Sequence, residues 1–332
     1  MKAAVFKGKG KPLSVEEIDK PKPIKDQVRI KLKYASLNHL DIWIQQEQES
    51  PRANGVILGS CGCGVVDSVG EDADPLLIGM EVIIHPSLDW GNNPIVQGNE
   101  FRILGFPDNG TFAEYIVISK KYIFEKPEHL NDEQSAALPL AALTAYRALF
   151  SKARLRANEK VLITGIGGGA AIYVLQMAAA YGAKVFVTSA SEEKIAKAKS
   201  LGAIGGFNYK NPDWAEQAKK AVGGFDIIID SAAGNQFGKL IELAVPGGRI
   251  VNFGRTAGAM SEINMRQVYW KQLSILGSTM GTRDEFLSMI DMMESRKLVP
   301  IIDKQFPLSQ INEAFEYMNS QSHFGKITIK IS

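Results

Sequence analysis

The chain has 332 residues, 45% of them hydrophobic and 22% charged, which suggests about two globular domains and excludes a disordered chain. Its 38 basic and 36 acidic residues leave a net charge of +2, which argues against a protein that binds nucleic acid by neutralising phosphates. No apolar stretch reaches the roughly 20 residues that span a bilayer, so we expect no membrane partner. Two cysteines are too few for a disulfide framework, and we expect a reducing, cytoplasmic setting.

The first third of the chain predicts a β-rich domain. Short runs with β-branched or aromatic residues are separated by Gly and Pro, which is typical of strands joined by turns. One short helix is expected over residues 38–45. The predicted strands cover residues 3–6, 27–34, 64–69, 81–85 and 112–117.

Residues 86–107 interrupt this pattern with a segment rich in Asn, Gly and Pro. Its periodicity is weak, so the sequence predicts a long excursion loop on the β-rich domain. Loops of this length are uncommon inside a domain, and we expect this one to be functional or the remnant of a functional element.

From Asn131 onward, helices and strands alternate. The strands are continuous apolar runs, which indicates a parallel sheet covered by helices on both faces. The predicted helices cover residues 131–138, 141–150, 170–181, 192–201, 213–221, 236–244, 283–294 and 309–320, and the strands cover residues 161–164, 184–188, 225–230, 249–253, 274–279 and 326–331. The fold class is therefore α/β: a β-rich domain (residues 1–122), a doubly wound domain (residues 123–266) and a return segment (residues 267–332).

A glycine-rich turn between the first α/β strand and its helix is the sharpest motif. Glycines allow positive φ and let backbone amides approach a pyrophosphate, while the helix N-terminus faces its negative charge. The strand, turn and helix occur in the order that a dinucleotide site requires. The residues expected to contact the cofactor here are Gly165, Gly167, Gly168, Gly169 and Ala170.

The end of the second α/β strand predicts which dinucleotide binds. NAD enzymes usually carry an acid here for the ribose 2′-hydroxyl, and this chain has none. Ser189, Ser191 and Lys194 instead suit a 2′-phosphate, so we expect NADP. Glu192 and Glu193 count slightly against that choice. In the competing interpretation the serines only cap the helix.

These features, taken together and in this order, resemble the medium-chain dehydrogenase/reductase superfamily. The resemblance covers the opening MKAAVF, residues 35–41, 59–70 and 110–115, the glycine turn and the closing Gly-Lys-Ile. It implies a GroES-like catalytic domain, a Rossmann domain and a C-terminal return to the first domain. It also implies a homodimer, paired through the apolar edge strand at residues 273–279.

The zinc-dependent branch of that family binds its catalytic zinc with Cys, His and Cys. The corresponding places here hold Asn38, Ser60 and Leu140, which are poor ligands or none. The structural zinc lobe needs four cysteines, and the excursion has none. We therefore expect no metal. Cys61 and Cys63 could form a metal site with His85, although small packing residues are the preferred interpretation.

The resemblance points to the zinc-free quinone oxidoreductase and enone reductase branch, which uses NADPH. It implies that Asn38 donates a hydrogen bond to the substrate oxygen and that Asp41 is catalytic, with a structural hydrogen bond as its alternative. Further cofactor contacts are implied for Thr144, Tyr209, Phe253 and Gly254. Lys326 is expected to add positive charge near the 2′-phosphate.

The expected reaction is hydride transfer from NADPH to a quinone or a conjugated enone, small molecules whose acceptor system spreads the incoming charge. Two alternatives remain open. One is an NADPH-binding protein without catalysis, and the other is an alcohol dehydrogenase that acts on small alcohols or aldehydes.

Overall fold

Both ends of the chain build the first of two units, and the middle of the chain builds the second. In the computed structural model, which describes residues 1–260 and 263–332, the first unit comprises residues 1–141 and 281–332 and the second comprises residues 142–280. Both boundaries lie later than the sequence placed them. Helix Asp132–Ala137 packs on the strands of the first unit, and strand Ser274–Gly277 completes the sheet of the second.

The N-terminal part of the first unit contains ten strands and two helices. The strands are β1 (Lys2–Phe6), β2 (Ser14–Glu17), β3 (Gln27–Ser36), β4 (Val56–Ile57), β5 (Cys61–Val69), β6 (Glu81–Ile84), β7 (Ser87–Leu88), β8 (Arg102–Ile103), β9 (Tyr115–Ser119) and β10 (Ile123–Glu125). The helices are α1 (His39–Glu47) and α2 (Asp132–Ala137).

The second unit begins within α3 (Pro139–Tyr146), which continues as a π-helix over Arg147–Lys152. Its strands are β11 (Lys160–Ile163), β12 (Lys184–Ser189), β13 (Gly205–Asn208), β14 (Phe225–Asp230), β15 (Ala244–Asn252) and β16 (Ser274–Gly277). Its other helices are α4 (Gly169–Ala180), α5 (Glu192–Ser200), α6 (Trp214–Val222), α7 (Phe237–Leu243) and α8 (Met265–Trp270).

The chain then returns to the first unit, as the sequence predicted. This part contains α9 (Arg283–Ser295), β17 (Ile302–Pro307), α10 (Ile311–Asn319) and β18 (Lys326–Lys330). Strand β18 pairs antiparallel with β3, with Thr328 opposite Ser36. This register brings the start of the last strand beside the segment that leads into α1.

The larger sheet of the first unit has seven strands in the order β10-β6-β5-β3-β18-β17, with β9 also paired to β3. A smaller sheet has the order β2-β1-β4. Its apolar core joins β1 to the C-terminal helix α10 through side chains such as Phe6, Phe112 and Phe315. This is the GroES-like, β-rich domain that the sequence predicted.

The sheet of the second unit is parallel throughout, with the strand order β13-β12-β11-β14-β15-β16. Numbered within the unit, this is the Rossmann order 3-2-1-4-5-6, so the predicted fold class is confirmed. Strands β11 and β14 flank the point where the order reverses. The sequence missed β13, because Gly205 and Gly206 break the apolar run. A Cβ on Gly206 would lie 2.5 Å from Ile195, so glycine permits the close packing of α5.

The excursion is more ordered than the predicted loop. Strands β7 and β8 pair within it, and Trp90 packs edge-on against Phe101 with ring centroids 5.3 Å apart. The Asp89 carboxylate accepts hydrogen bonds from Arg102 at 2.6 Å, Lys121 at 2.9 Å and Tyr122 at 2.7 Å. The Lys121 contact is the main reason why the pKa of Asp89 lies well below its usual range. This network of hydrogen bonds and ion pairs thus holds the excursion, residues 86–107, which we call the lobe, in place.

Within the ranges that the structure describes, no helix is both long enough and apolar enough to span a membrane.

Candidate functional site

The glycine turn joins β11 to α4 with a backbone that requires glycine. Gly165 has φ +62° and Gly167 has φ +138°, a region that other residues rarely adopt. A Cβ added to Gly165 or Gly168 would meet no atom within 4 Å, so this side of the turn is open. The open side leaves room for a ligand to approach the backbone.

The backbone amides at this turn divide into two groups. Gly165 N–H donates to Thr188 Oγ1 at 3.2 Å, and Ile166 N–H donates to the Thr188 carbonyl at 2.8 Å, which ties the turn to β12. Helix α4 starts with Gly168 as its N-cap, and no side chain caps its first turn. The first-turn N–H groups of Gly169 and Ala170 therefore suit the pyrophosphate of a dinucleotide.

At the end of β12, the two predicted serines form a hydrogen-bonded turn. Ser189 Oγ accepts the N–H of Ser191 at 3.2 Å, and Ser191 Oγ caps α5 by accepting the N–H of Lys194 at 3.3 Å. The helix cap that competed with phosphate binding is therefore present. Each hydroxyl acts as an acceptor in these bonds, so its own hydrogen can still be donated to an anion. Tyr209, half exposed, donates its N–H to the Ser189 carbonyl at 3.1 Å.

A buried carboxylate that the sequence analysis missed connects the carboxyl ends of three strands. Asp230 Oδ1 accepts hydrogen bonds from Thr164 Oγ1 at 2.6 Å and from Ala232 N–H at 3.2 Å. Asp230 Oδ2 accepts from Ala233 N–H at 2.9 Å and from Asn252 Nδ2 at 2.7 Å. We call Thr164, Asp230, Asn252 and these two amides the Asp230 cluster. The signal in the sequence was an acid at the end of an apolar strand, Asp-Ile-Ile-Ile-Asp.

The Asp230 cluster holds one loop that the sequence assigned to the cofactor. Phe253 N–H donates to the Asp230 carbonyl at 3.1 Å, and Asn252 Nδ2 donates to the Gly254 carbonyl at 2.9 Å. A Cβ on Gly254 would lie 2.7 Å from the Ser231 carbonyl oxygen, so a larger residue would push the two loops apart. Thr144 is in the same unit, buried on α3.

The two predicted catalytic residues lie together in the first unit, at the start of α1. Asp41 is fully buried, and its carboxylate accepts Asn38 N–H at 2.8 Å and Gly59 N–H at 3.2 Å. Burial raises the pKa of Asp41 to about 7, although these bonds and Lys326 act in the opposite direction. Both oxygens thus have backbone partners, which favours the structural alternative for Asp41.

The three expected zinc-ligand places surround the sulfur of Cys61. Its Sγ accepts Asn38 Nδ2 at 3.3 Å and Leu140 N–H at 3.2 Å, and Ser60 is the preceding residue. Burial raises the pKa of this thiol, which favours the protonated form. An amide, a hydroxyl, an aliphatic side chain and a protonated thiol do not make a zinc donor set. In the described part of the chain, no group of three or more His, Cys, Asp or Glu residues could hold a metal.

The other thiol and its suggested histidine partner are both buried. Cys63 Sγ donates a long hydrogen bond to Asp132 Oδ1 at 4.0 Å. Burial raises the pKa of Cys63 to about 12. His85 packs edge-on against Phe286 with ring centroids 4.8 Å apart, and burial lowers its pKa to about 4. These contacts fit the packing interpretation of the Cys-x-Cys pair.

Lys326 has a different environment from the one that the sequence suggested. Its ammonium is buried in the first unit and donates to the Leu37 carbonyl at 2.5 Å and to Asn38 Oδ1 at 2.6 Å. The expectation that it adds charge near a 2′-phosphate is not supported by these contacts. We call Asn38, Asp41, Cys61 and Lys326 the Lys326 cluster. It forms because β18 returns beside β3, which sequence spacing could not reveal.

Known proteins with the same architecture cover nearly the whole chain. The family model for an alcohol dehydrogenase GroES-like domain matches residues 24–128, and the model for a zinc-binding dehydrogenase matches residues 169–295. The zinc-type alcohol dehydrogenase-like protein YogA of Leptosphaeria maculans is 33% identical, over 96% of this chain and 95% of its own. Human quinone oxidoreductase is 31% identical, over 90% of this chain and 87% of its own.

A solved structure described as an NAD-dependent alcohol dehydrogenase superposes with a TM-score of 0.95, at 33% identity and with full coverage of both chains. The similarity therefore extends through both units and the C-terminal return. Together with the parallel sheet, the glycine turn and the β-rich first unit, it shows that this chain is an oxidoreductase of the medium-chain dehydrogenase/reductase superfamily.

Proposed function

We propose that this chain is a zinc-independent, NADPH-dependent oxidoreductase that reduces a quinone or a conjugated enone or carbonyl. The observation that carries the proposal is the Cys61 sulfur, which accepts hydrogen bonds from Asn38 and Leu140 where the family's zinc ligands would stand. A conjugated acceptor spreads the incoming charge and so depends less on a Lewis acid than a simple alcohol or aldehyde does. The resemblance to human quinone oxidoreductase agrees with this substrate class.

NADPH, when bound, supplies the hydride. The chain's own residues would bind the cofactor, orient the substrate and stabilise the negative charge that develops on it. The open glycine turn and the uncapped start of α4 would hold the pyrophosphate, and the Asp230 cluster fixes the loop at Phe253 and Gly254. Asn38 would donate its side-chain amide to the substrate oxygen, where negative charge grows during the transfer. Asp41 orients Asn38 through the backbone N–H of that residue.

Steady-state oxidation of NADPH with a panel of quinones, enones and aldehydes tests the reaction. We expect turnover with the conjugated acceptors and no loss of activity after chelation. Faster oxidation of small alcohols with NADP⁺, or zinc bound at one equivalent after mild chelation, would favour an alcohol dehydrogenase. Tight NADPH binding without turnover of any acceptor would favour a non-catalytic protein.

The choice of NADPH rests on the end of β12. A charge-assisted hydrogen bond to phosphate contributes roughly 1.5–3 kcal/mol, so two such contacts would favour NADPH by roughly 100-fold or more. One similar solved structure is described as an NAD-dependent alcohol dehydrogenase, so the preference of this chain for NADPH over NADH has to be measured.

We expect Lys194→Ala to weaken NADPH binding and to leave NADH binding nearly unchanged, measured by fluorescence titration at two salt concentrations. Lys197→Ala is the matched control, because Lys197 lies one turn further along α5 and pairs with Glu193 at 2.7 Å. Equal affinity of the unmodified protein for both cofactors would contradict the NADPH assignment.

We also propose that two copies pair through β16. This strand is the last in its sheet, hydrogen-bonded to β15, and its Ile275 is 40% exposed. Helix α8, just before it, exposes Tyr269 by 65% and Trp270 by 79%. An apolar, exposed sheet edge is a place where a second chain can add its own strand. Light scattering at micromolar concentration should give a dimer, and Ile275→Lys should shift it toward monomer; a monomeric wild type would contradict the proposal.

A further inference from the structure

The ammonium of Lys326 is buried, and both of its hydrogen-bond acceptors are neutral. Its side chain is 4% exposed, and both of its acceptors, the Leu37 carbonyl and Asn38 Oδ1, are uncharged. Among the described residues, no carboxylate lies within ion-pair distance of it. Burial lowers the pKa of Lys326, and the nearby Cys61 and Asp41 act against that shift. A buried ammonium that forms no ion pair is costly for the fold, so this arrangement calls for an explanation beyond stability.

Lys326 determines which way the Asn38 amide faces. An ammonium group has only donors, so the atom 2.6 Å from it must be the amide oxygen. The amide nitrogen then faces Cys61 Sγ at 3.3 Å and the Ser36 carbonyl at 3.5 Å. Thiol sulfur is a weak acceptor, and 3.5 Å is at the limit of a hydrogen bond. The amide hydrogens are thus held in place but only weakly bonded.

We propose that Lys326 is a positioning residue that orients and polarises the Asn38 amide, so that its NH₂ group acts as the electrophilic donor to the substrate oxygen. The proposal rests on the proposed function. A positive charge at the amide oxygen draws electron density from the nitrogen, which strengthens the N–H groups as donors. A donor aimed in advance at developing negative charge stabilises the transition state without further reorganisation. The Lys326–Asn38 pair would supply part of what zinc supplies elsewhere in the family.

The reaction that this pair would serve balances without another co-reactant. The conjugated substrate accepts the hydride with two electrons, and its π electrons move onto the oxygen that Asn38 contacts. NADPH is oxidised to NADP⁺, and a proton from solvent water completes the reduction.

Lys326→Met removes the charge, and Lys326→Arg keeps it. Lys330→Met is the matched control, because Lys330 is an exposed lysine on the same strand. We expect Lys326→Met to lower kcat for an enone by roughly 10- to 100-fold, less than the roughly 100- to 1000-fold typical of deleting a donor outright. The loss should shrink across a series of increasingly electron-poor quinones, which need less help at oxygen. Lys326→Arg should recover part of the rate, and NADPH affinity should stay within about twofold of wild type in all variants.

A second measurement needs no turnover. In the substrate-free protein, the side-chain amide resonances of Asn38, identified by their loss in Asn38→Asp, should shift in Lys326→Met and stay in place in Lys330→Met. An active wild type whose Lys326→Met variant loses only NADPH affinity, or loses kcat equally for all acceptors, would overturn the positioning role alone. A wild type that reduces none of these acceptors would overturn the proposed function and, with it, this inference.

Discussion

The two buried polar clusters, one in each unit, differ in how their polar groups are paired. In the Asp230 cluster, one carboxylate accepts four hydrogen bonds between 2.6 and 3.2 Å, which join the ends of β11, β14 and β15. In the Lys326 cluster, an ammonium faces two neutral oxygens, and an amide nitrogen has only long, weak contacts. The first arrangement suits a rigid region, here the ends of β11, β14 and β15. The second leaves an amide donor only weakly bonded, as the role proposed for Asn38 requires.

Asp230→Ala and Lys326→Met each remove the central side chain of one cluster. The stabilities of these two variants are the sharpest test of the contrast. Asp230→Ala removes the carboxylate that accepts from four donors, although Asn252 keeps its bond to the Gly254 carbonyl, so we expect a loss of about 3 kcal/mol in the free energy of unfolding. Lys326→Met leaves two acceptors unpaired but removes a buried charge, and these effects offset each other. We expect it to remain within about 1 kcal/mol of wild type. Urea denaturation followed by circular dichroism measures both.

Asp226→Ala is a control on the same strand as Asp230. Asp226 accepts one backbone hydrogen bond, from Lys160 at 2.8 Å, and lies at the other end of β14. Its removal should cost about 1 kcal/mol. Similar losses for Asp230→Ala, Asp226→Ala and Lys326→Met would show that the clusters do not differ in the way proposed.

The pH dependence of stability isolates Asp41 within the Lys326 cluster. Burial raises its pKa to about 7 in the folded protein, above the roughly 3.9 of an unfolded aspartate. The folded state then binds the proton more tightly, so the contribution of Asp41 to stability is complete below pH ~4 and is lost as the pH rises through about 7.

Wild type should therefore lose stability relative to Asp41→Asn between pH 5 and 7.5, measured by denaturation at both values, since the asparagine does not titrate. The comparison with the variant removes the contribution of other carboxyls. A constant difference between the two proteins over this range would contradict the raised pKa.

The smallest effect is expected in the lobe formed by the excursion. The Arg102 side chain is 41% exposed, so its ion pairs with Asp89 and Asp108 are partly screened by water. Arg102→Met should cost about 0.5–1 kcal/mol, increase proteolytic cleavage within residues 86–107, and matter less at high salt. Unchanged proteolysis would show that the packing of Trp90 on Phe101 is sufficient to hold the lobe.

Local patterns predicted the parts of the site that lie on consecutive residues. The glycine turn could be recognised because positive φ at Gly165 and Gly167 demands glycine, and the strand and helix beside it have clear periodicity. The Ser191 helix cap was foreseeable for the same reason, since its partner Lys194 lies three residues away. The strand β13 was missed because Gly205 lies against Phe186 of β12 and Gly206 against Ile195 of α5, and such close contacts have no local signature in the sequence.

The sequence by itself determined the fold class and predicted the glycine turn and the residues at the expected zinc-ligand places, because each depends on residue type or on neighbours within a few positions. Only the tertiary structure decided the roles of Asp230 and Lys326, whose partners are up to 66 and 289 positions away. It also showed that both Asp41 oxygens bind backbone amides. Which residues become such partners depends on how strands from distant parts of the chain pair, and sequence periodicity does not predict that pairing.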